Sequence, residues 1–336
     1  MKPDYKLVTI NDNKTKIKQL LNDLILTPRL KAIEWSNITK QTPNIKIGYP
    51  GQHLASLVLG MEGKRTGARG DDIVDGTEVK SCSRVDQVDK CNSCDENVLR
   101  TEATCPNCGS EDIRRNNDSK WLFSVRSEHE LNLLLKEVPR IALTISDYPN
   151  FDNGDYNSIR IQLFEIWNGP EKFNAFQTLI ENYYNKIYLE HKKKNPQKTP
   201  APKNFWPYSY QFYRCCPIRI FEANVLNVNV SPEISISHYI EPVQSREDVP
   251  SIEMPFEVLN NDELLIILES IKSKFDNCTY IHIKALLTTV KSKTESKMAA
   301  IDLLKKKLTG IGEDYIPLLP LRDTDIPVSS TKQWKR

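Results

Sequence analysis

Apolar residues recur at helical spacing through the N-terminal part of the chain. Ile17, Leu20, Leu21 and Leu24 fall at i, i+3, i+4 and i+7 within residues 13–26, which predicts an amphipathic helix. Thr27-Pro28 reads as an N-cap followed by proline at the first helical position, so a second helix is predicted to about Thr39. A third is predicted from Pro50, with Leu54, Leu57, Val58 and Met61 on one face. After Gly63 the texture changes. Ile73-Val74 and Thr77 to Lys80 are short β-runs on either side of Asp75-Gly76, a hairpin signal. Trp121 to Val125, Ile141 to Ile145 and Ile159 to Ile166 read as strands. Ser127 caps a helix to about Leu134, with Glu130 at the reciprocal position.

The strongest helical pattern runs from Glu171 to about Lys192, with Phe173, Phe176, Leu179, Ile180, Tyr183 and Ile187 on one face. A lysine-rich loop through Lys203 and an aromatic stretch, Phe205 to Tyr213, follow it. Later amphipathic helices are predicted over Asp262–Phe275 and Glu295–Leu308, with apolar faces that would serve either the chain's own core or an interface.

The chain has 336 residues, 39% hydrophobic and 27% charged, with a formal net charge of +2. A sizeable core can form, and any nucleic-acid surface must be a local basic patch. Every apolar run stops well short of the roughly 18 residues of a membrane span. No apolar leader follows the first methionine, so a reducing cytoplasmic setting is expected. Close cysteine pairs in that setting point to a metal or to catalysis rather than to disulfides.

Cys91-Asn-Ser-Cys94 and Cys105-Pro-Asn-Cys108 are two CxxC pairs separated by ten residues. Four thiolates so arranged close a tetrahedral shell with no position for water, which predicts a structural Zn²⁺ ribbon. Cys82, Cys215, Cys216 and Cys278 lie outside this pattern and read as ordinary thiols.

Glu78 and Lys80 are two apart on a predicted strand and project from one face. An acid from the preceding segment would add a second carboxylate. Two carboxylates can hold Mg²⁺ with positions left for water and a phosphate oxygen, and the lysine can offset phosphate charge. A two-residue turn at Asp75-Gly76 pairs Asp71 with Lys80, whereas a three-residue loop brings Asp72 there. Both remain candidates.

The run Asp71/Asp72 … Glu78-Val79-Lys80 resembles the PD-(D/E)xK nuclease motif. With its Gly-Ala-Arg-Gly-Asp-Asp lead-in and the cysteine pairs behind it, residues 67–128 resemble the MamI-like group of Type II restriction endonucleases. One departure is that Gly70 or Asp71, not proline, precedes the motif aspartate. The resemblance implies an α/β (α+β) fold, restriction-endonuclease-like, with a central mixed sheet flanked by helices and an inserted four-cysteine zinc ribbon. It implies sequence-specific, Mg²⁺-dependent cleavage of double-stranded DNA at a palindromic or interrupted-palindromic site by a homodimer. A cognate DNA methyltransferase would be the genetic partner, and no membrane partner is expected. On this reading the chain divides into a helical region at 1–62, a catalytic core at 63–170 with the ribbon at 88–112, and a remainder at 171–336 that completes the core and the recognition region.

Glu62 and Gln52 are candidates for an accessory group beside the metal. Arg65, Arg69, Arg84, Lys193 and Lys203 are candidates for phosphate contacts. The five histidines show no metal-ligand spacing, and Gly60 to Thr66 departs from the phosphate-loop pattern. Two other functions fit the same motifs: a zinc-ribbon DNA-binding protein without catalysis, and a PD-(D/E)xK nuclease of repair or recombination.

Overall fold

A computed structural model describes residues 1–65, 71–168, 174–289 and 294–324. Arg69 and Phe173, both singled out above, lie outside the described residues. No helix among the described residues is long and apolar enough to cross a membrane.

Helix α1 (Asn13–Leu21), a π-helical turn over Asn22–Leu26 and helix α2 (Thr27–Thr39) form one uninterrupted rod. Thr27-Pro28 is therefore not a helix start. Leu26 and Thr27 hold right-handed helical angles, and the Thr27 N–H reaches back five residues to Asn22 O. Proline lacks a donor and crowds the carbonyl four residues back, so a wide turn ahead of Pro28 lets the helix continue. Helix α3 (Gly48–Leu59) begins two residues before the predicted Pro50 and buries Leu54, Ala55, Val58 and Leu59.

Strand β1 (Glu78–Ser83) follows. The hairpin predicted around Asp75-Gly76 does not form. Residues 71–77 make a compact loop, closed by Asp72 N–H to Thr77 O at 3.0 Å and Gly76 N–H to Ile73 O at 2.9 Å. Gly76 takes a φ of +89°, open to glycine at little cost. Ile73 bridges to Gly63 instead of to β1. The ribbon then interrupts the chain with β2 (Asp89–Cys91), β3 (Asn97–Val98) and β4 (Ile113–Arg114), a three-stranded antiparallel sheet with β2 central.

Past β5 (Trp121–Phe123), Ser127 caps α4 (Glu128–Asn132), accepting the Glu130 N–H at 3.1 Å. Glu130 reaches back to the Arg126 N–H at 2.7 Å, one residue ahead of the cap. Strands β6 (Arg140–Asp147) and β7 (Ile159–Trp167) are the centre of the molecule's main sheet, and β6 is buried throughout.

One compact unit is built from the described residues of 1–169 and 219–248, a second from those of 170–218 and 249–328. In the second unit, α5 (Asn174–Asn182), a π-helical stretch over Tyr183–Tyr188 and α6 (Leu189–Lys194) replace the single predicted helix. The wider turn advances the phase. Tyr184 and Tyr188 face inward and Ile187 is exposed, contrary to the regular 3.6-residue expectation. Short β8 (Lys203–Phe205) and α7 (Tyr210–Arg214) carry the aromatic stretch, whose Phe205, Tyr210, Phe212 and Tyr213 are core residues.

Strands β9 (Ile218–Leu226) and β10 (Glu233–Tyr239) complete the sheet of the first unit in the order β1–β6–β7–β9–β10. β1 runs parallel to β6, with Glu78 opposite Ile141 and Lys80 opposite Leu143, while β6–β7 and β9–β10 are antiparallel. The result is a central mixed sheet flanked by helices. Gly51 permits the close approach of α3 to this sheet, because a Cβ there would collide with Ser81 and Thr144.

Three helices close the second unit: α8 (Asn261–Ser270), held by an Asn260–Glu263 capping box, α9 (Asn277–Thr288) and α10 (Thr294–Leu304). Leu264, Ile267, Leu268, Ala300, Ile301 and Leu304 are buried. The apolar faces considered above for an interface therefore belong to the chain's own core.

Candidate functional site

The loop at 71–77 delivers its acid to the start of β1. Asp72 Oδ2 accepts the Val79 N–H at 2.8 Å, and Asp72 Oδ1 accepts from Gln52 Nε2 of α3 at 2.6 Å. Glu78 and Lys80 share one face of β1 and form an ion pair, and the Lys80 ammonium lies 5.9 Å from the centre of the Phe123 ring. Asp71 is drawn toward Lys64, whose ammonium lies 2.6 Å from its Oδ2. The open choice between the two aspartates acquires a geometry here. Asp72 sits on the backbone of β1, whereas Asp71 pairs with the 63–65 segment.

Burial pushes the Glu78 carboxyl above the ordinary carboxylate range; Lys80 opposes this, and the charges of Asp72 and Asp71 add to it. Burial also raises Asp72, against the pull of the Val79 N–H and Lys80. Half-buried carboxylates crowded in this way favour a cation that neutralises them. Carboxylate oxygens, with Asp72 lining a cleft, fit Mg²⁺, which keeps several of its waters.

Beneath the loop lies a network that no sequence pattern announced. Arg140, fully buried at the head of β6, donates to Thr77 Oγ1 at 2.8 Å, Glu165 Oε1 at 2.8 Å and Asp75 Oδ2 at 2.7 Å. Glu165 also accepts from Trp167 Nε1 at 2.6 Å and pairs with buried Arg246 at 3.3 Å. Asp75, the remaining acid of the motif loop, is thus tied into the interior. A buried arginine so fully paired fixes its partners in place.

In the ribbon, Cys91, Cys94, Cys105 and Cys108 place all four sulfurs within 4.8 Å of one another. Cys91–Cys108 and Cys94–Cys105 approach to 3.6 and 3.5 Å. A tetrahedral Zn²⁺ with bonds of about 2.3 Å needs sulfurs about 3.8 Å apart, so the quartet fits that ion. The two knuckles are alike. Asp95 N–H returns to Cys91 O and Gly109 N–H to Cys105 O, with Asp95 and Gly109 both at positive φ. Asp89, wholly buried, accepts from Arg100 and Arg115, each at 2.8 Å. The Arg100 guanidinium in turn lies 4.6 Å from the Tyr156 ring centre and 5.1 Å from that of Phe151. These contacts seat the ribbon on the core.

The remaining predicted residues are scattered. Glu62 is exposed, its carbonyl accepting from Val74 N–H, and among the described residues no hydrogen bond or ion pair joins its carboxylate to the cluster. Arg84 is buried, at 6% exposure. Arg65 is exposed beside Lys64. Lys193 is exposed at the end of α6, and Lys203 bonds Gln211 Oε1 at 2.7 Å, both within the second unit. Cys82, Cys215 and Cys216 are buried thiols, and burial pushes Cys82 up to about 12.

The family model for MamI restriction endonuclease matches residues 34–257, two thirds of the chain. The Type II restriction enzyme MamI of Microbacterium ammoniaphilum is 32% identical over 101 residues, which cover 28% of this chain and 33% of that relative. The chain thus matches about a third of the length of this curated relative. No solved structure matches.

Proposed function

The chain belongs to the MamI restriction endonuclease family, and on that footing we propose that it is a Mg²⁺-dependent Type II enzyme that cuts double-stranded DNA at a specific site. The observation that carries this reading is the convergence of Asp72, Glu78 and Lys80 at one end of β1, with Asp72 lining a cleft. Asp72 and Glu78 would hold the ion. When bound, Mg²⁺ supplies charge stabilisation to the phosphate and lowers the pKa of water. Lys80 is held on Glu78 and stands where it can orient the attacking water and offset charge on the phosphate. Gln52 fixes the Asp72 carboxylate, and the Arg140 network fixes the loop that carries it. Water adds to phosphorus, one P–O bond breaks, and the leaving oxygen takes up a proton. The four ribbon cysteines would hold a structural Zn²⁺. A cognate DNA methyltransferase protecting the same sites completes the reading.

Incubating plasmid DNA with the protein and Mg²⁺, or with EDTA, tests it. Discrete fragments with Mg²⁺ and none with EDTA are expected. Intact plasmid would overturn the reading and, with a retarded band, mark a binding protein. A smear would mark a nuclease without site preference.

A further inference from the structure

A cleft of about 330 Å³ opens beside Asp72, between one face of α3 and the segment at 63–65. Tyr49, Gln52, His53 and Ser56 stand at i, i+3, i+4 and i+7 on that face, and Lys64 and Arg65 form the facing wall. The lining is made of hydrogen-bond donors. Its one acid is Asp72, and both of that carboxylate's oxygens already accept, from Gln52 and from the Val79 N–H. Lys64 is held by Asp71. Tyr49, His53 and Arg65 are exposed and, among the described residues, make no hydrogen bond or ion pair.

We propose that this cleft seats a second backbone phosphate of the cleaved strand, next to the one that is cut, with Arg65, His53 and Tyr49 as its ligands. The inference rests on the endonuclease reading and deepens it. Two permanent cations, an imidazole and two hydroxyls around a space several times the roughly 30 Å³ share of a water molecule suit a tetrahedral anion. A phosphodiester strand lying across Asp72 and Glu78 carries such anions on either side of the scissile one. The unpartnered donors therefore orient the strand before the chemistry begins, a role that phosphate contacts fill without reading sequence.

Binding without divalent ion measures this directly, because each duplex phosphate neutralised contributes about 0.9 to the slope of log K against log salt. The probe is a fluorescent duplex containing a site that the wild-type protein cuts, or an arbitrary duplex of the same length if none is cut. Arg65→Ala should lower the slope by about one phosphate's worth, Arg65→Lys should restore it, and His53→Ala should weaken binding about threefold to tenfold. Duplexes carrying one neutral methylphosphonate, stepped along the strand, supply the second arm. At a single position beside the scissile bond the neutral link should weaken the wild type clearly more than it weakens Arg65→Ala. An unchanged slope in Arg65→Ala, a change confined to sequence preference, or no such position would overturn the proposal. A wild type that cuts no duplex with Mg²⁺ would sink the endonuclease reading instead, while the slope still reports on the phosphate contact. Among the described residues Arg65 has no partner to lose, and a melting curve checks that each variant folds.

Discussion

Asp71 and Asp72 are neighbours with opposite environments. Lys64 pairs with Asp71, while Asp72 is clamped between Gln52 and the β1 backbone. Asp72→Ala should lower Mg²⁺-dependent cleavage by at least about a hundredfold, the upper range for a lost supporting ligand, and Asp71→Ala by far less. The stability of the two forms of Asp72 gives a second readout. Its carboxyl is raised by burial, so the stability it contributes is present below the unfolded value and lost as pH rises through the folded one. Above the folded value that contribution is gone. Asp72→Asn should therefore melt no lower than the wild type without metal, and Mg²⁺ should raise the melting temperature of the wild type only. Asp75 differs again, since its role runs through Arg140. Asp75→Asn should raise the Mg²⁺ concentration for half-maximal cleavage and lower the maximal rate about tenfold, with DNA affinity unchanged. A fall in melting temperature with no change in Mg²⁺ response would reduce Asp75 to a structural part. The sequence offered Glu78 and Lys80 because they are two apart on one strand. It left the aspartate open because that choice depends on how the loop closes. Arg140 stayed hidden because its partners lie far off in the chain, with Asp75 separated from it by 65 residues.

At the level of elements, the four-cysteine cluster was the most legible part, since its cysteines are close in the chain and their spacing matches the knuckle turn. Purified protein should hold about one Zn²⁺ per chain, and Cys108→Ser should lower that content. Metal analysis that finds iron or no metal contradicts the assignment. Because Arg100 seats the ribbon against Tyr156 and Phe151, loss of zinc should also reduce cleavage by the core. Helices were less legible where they depart from the regular period. Three π-helical stretches, at Asn22–Leu26, Leu133–Glu137 and Tyr183–Tyr188, shift the inward face in ways that 3.6-residue counting cannot follow. Strands β9 and β10 lie where no strand is predicted, although Glu-Ile-Ser-Ile-Ser in β10 carries a clean alternation. The late helix α9 likewise went unpredicted, and its neighbours α8 and α10 bury their apolar faces within the chain.

For the whole molecule, one chain carries one Glu-x-Lys cluster of this kind among the described residues, while duplex DNA has two strands to cut. Two chains about a two-fold axis would place one cluster on each strand of a palindrome. Light scattering on a complex with a duplex that the protein cuts should give two chains per duplex. One chain per duplex, with both strands cut, contradicts the dimer. The chemistry of the cluster itself is measured most directly by the Mg²⁺-dependent cleavage rate of Glu78→Gln, taken beside its affinity for the same duplex. The substitution keeps the size of the side chain and removes its charge. Cleavage should fall by at least about a hundredfold, with affinity held within about threefold, if Glu78 acts as proposed on metal and transition state rather than on docking. Cleavage at the wild-type rate would contradict the account.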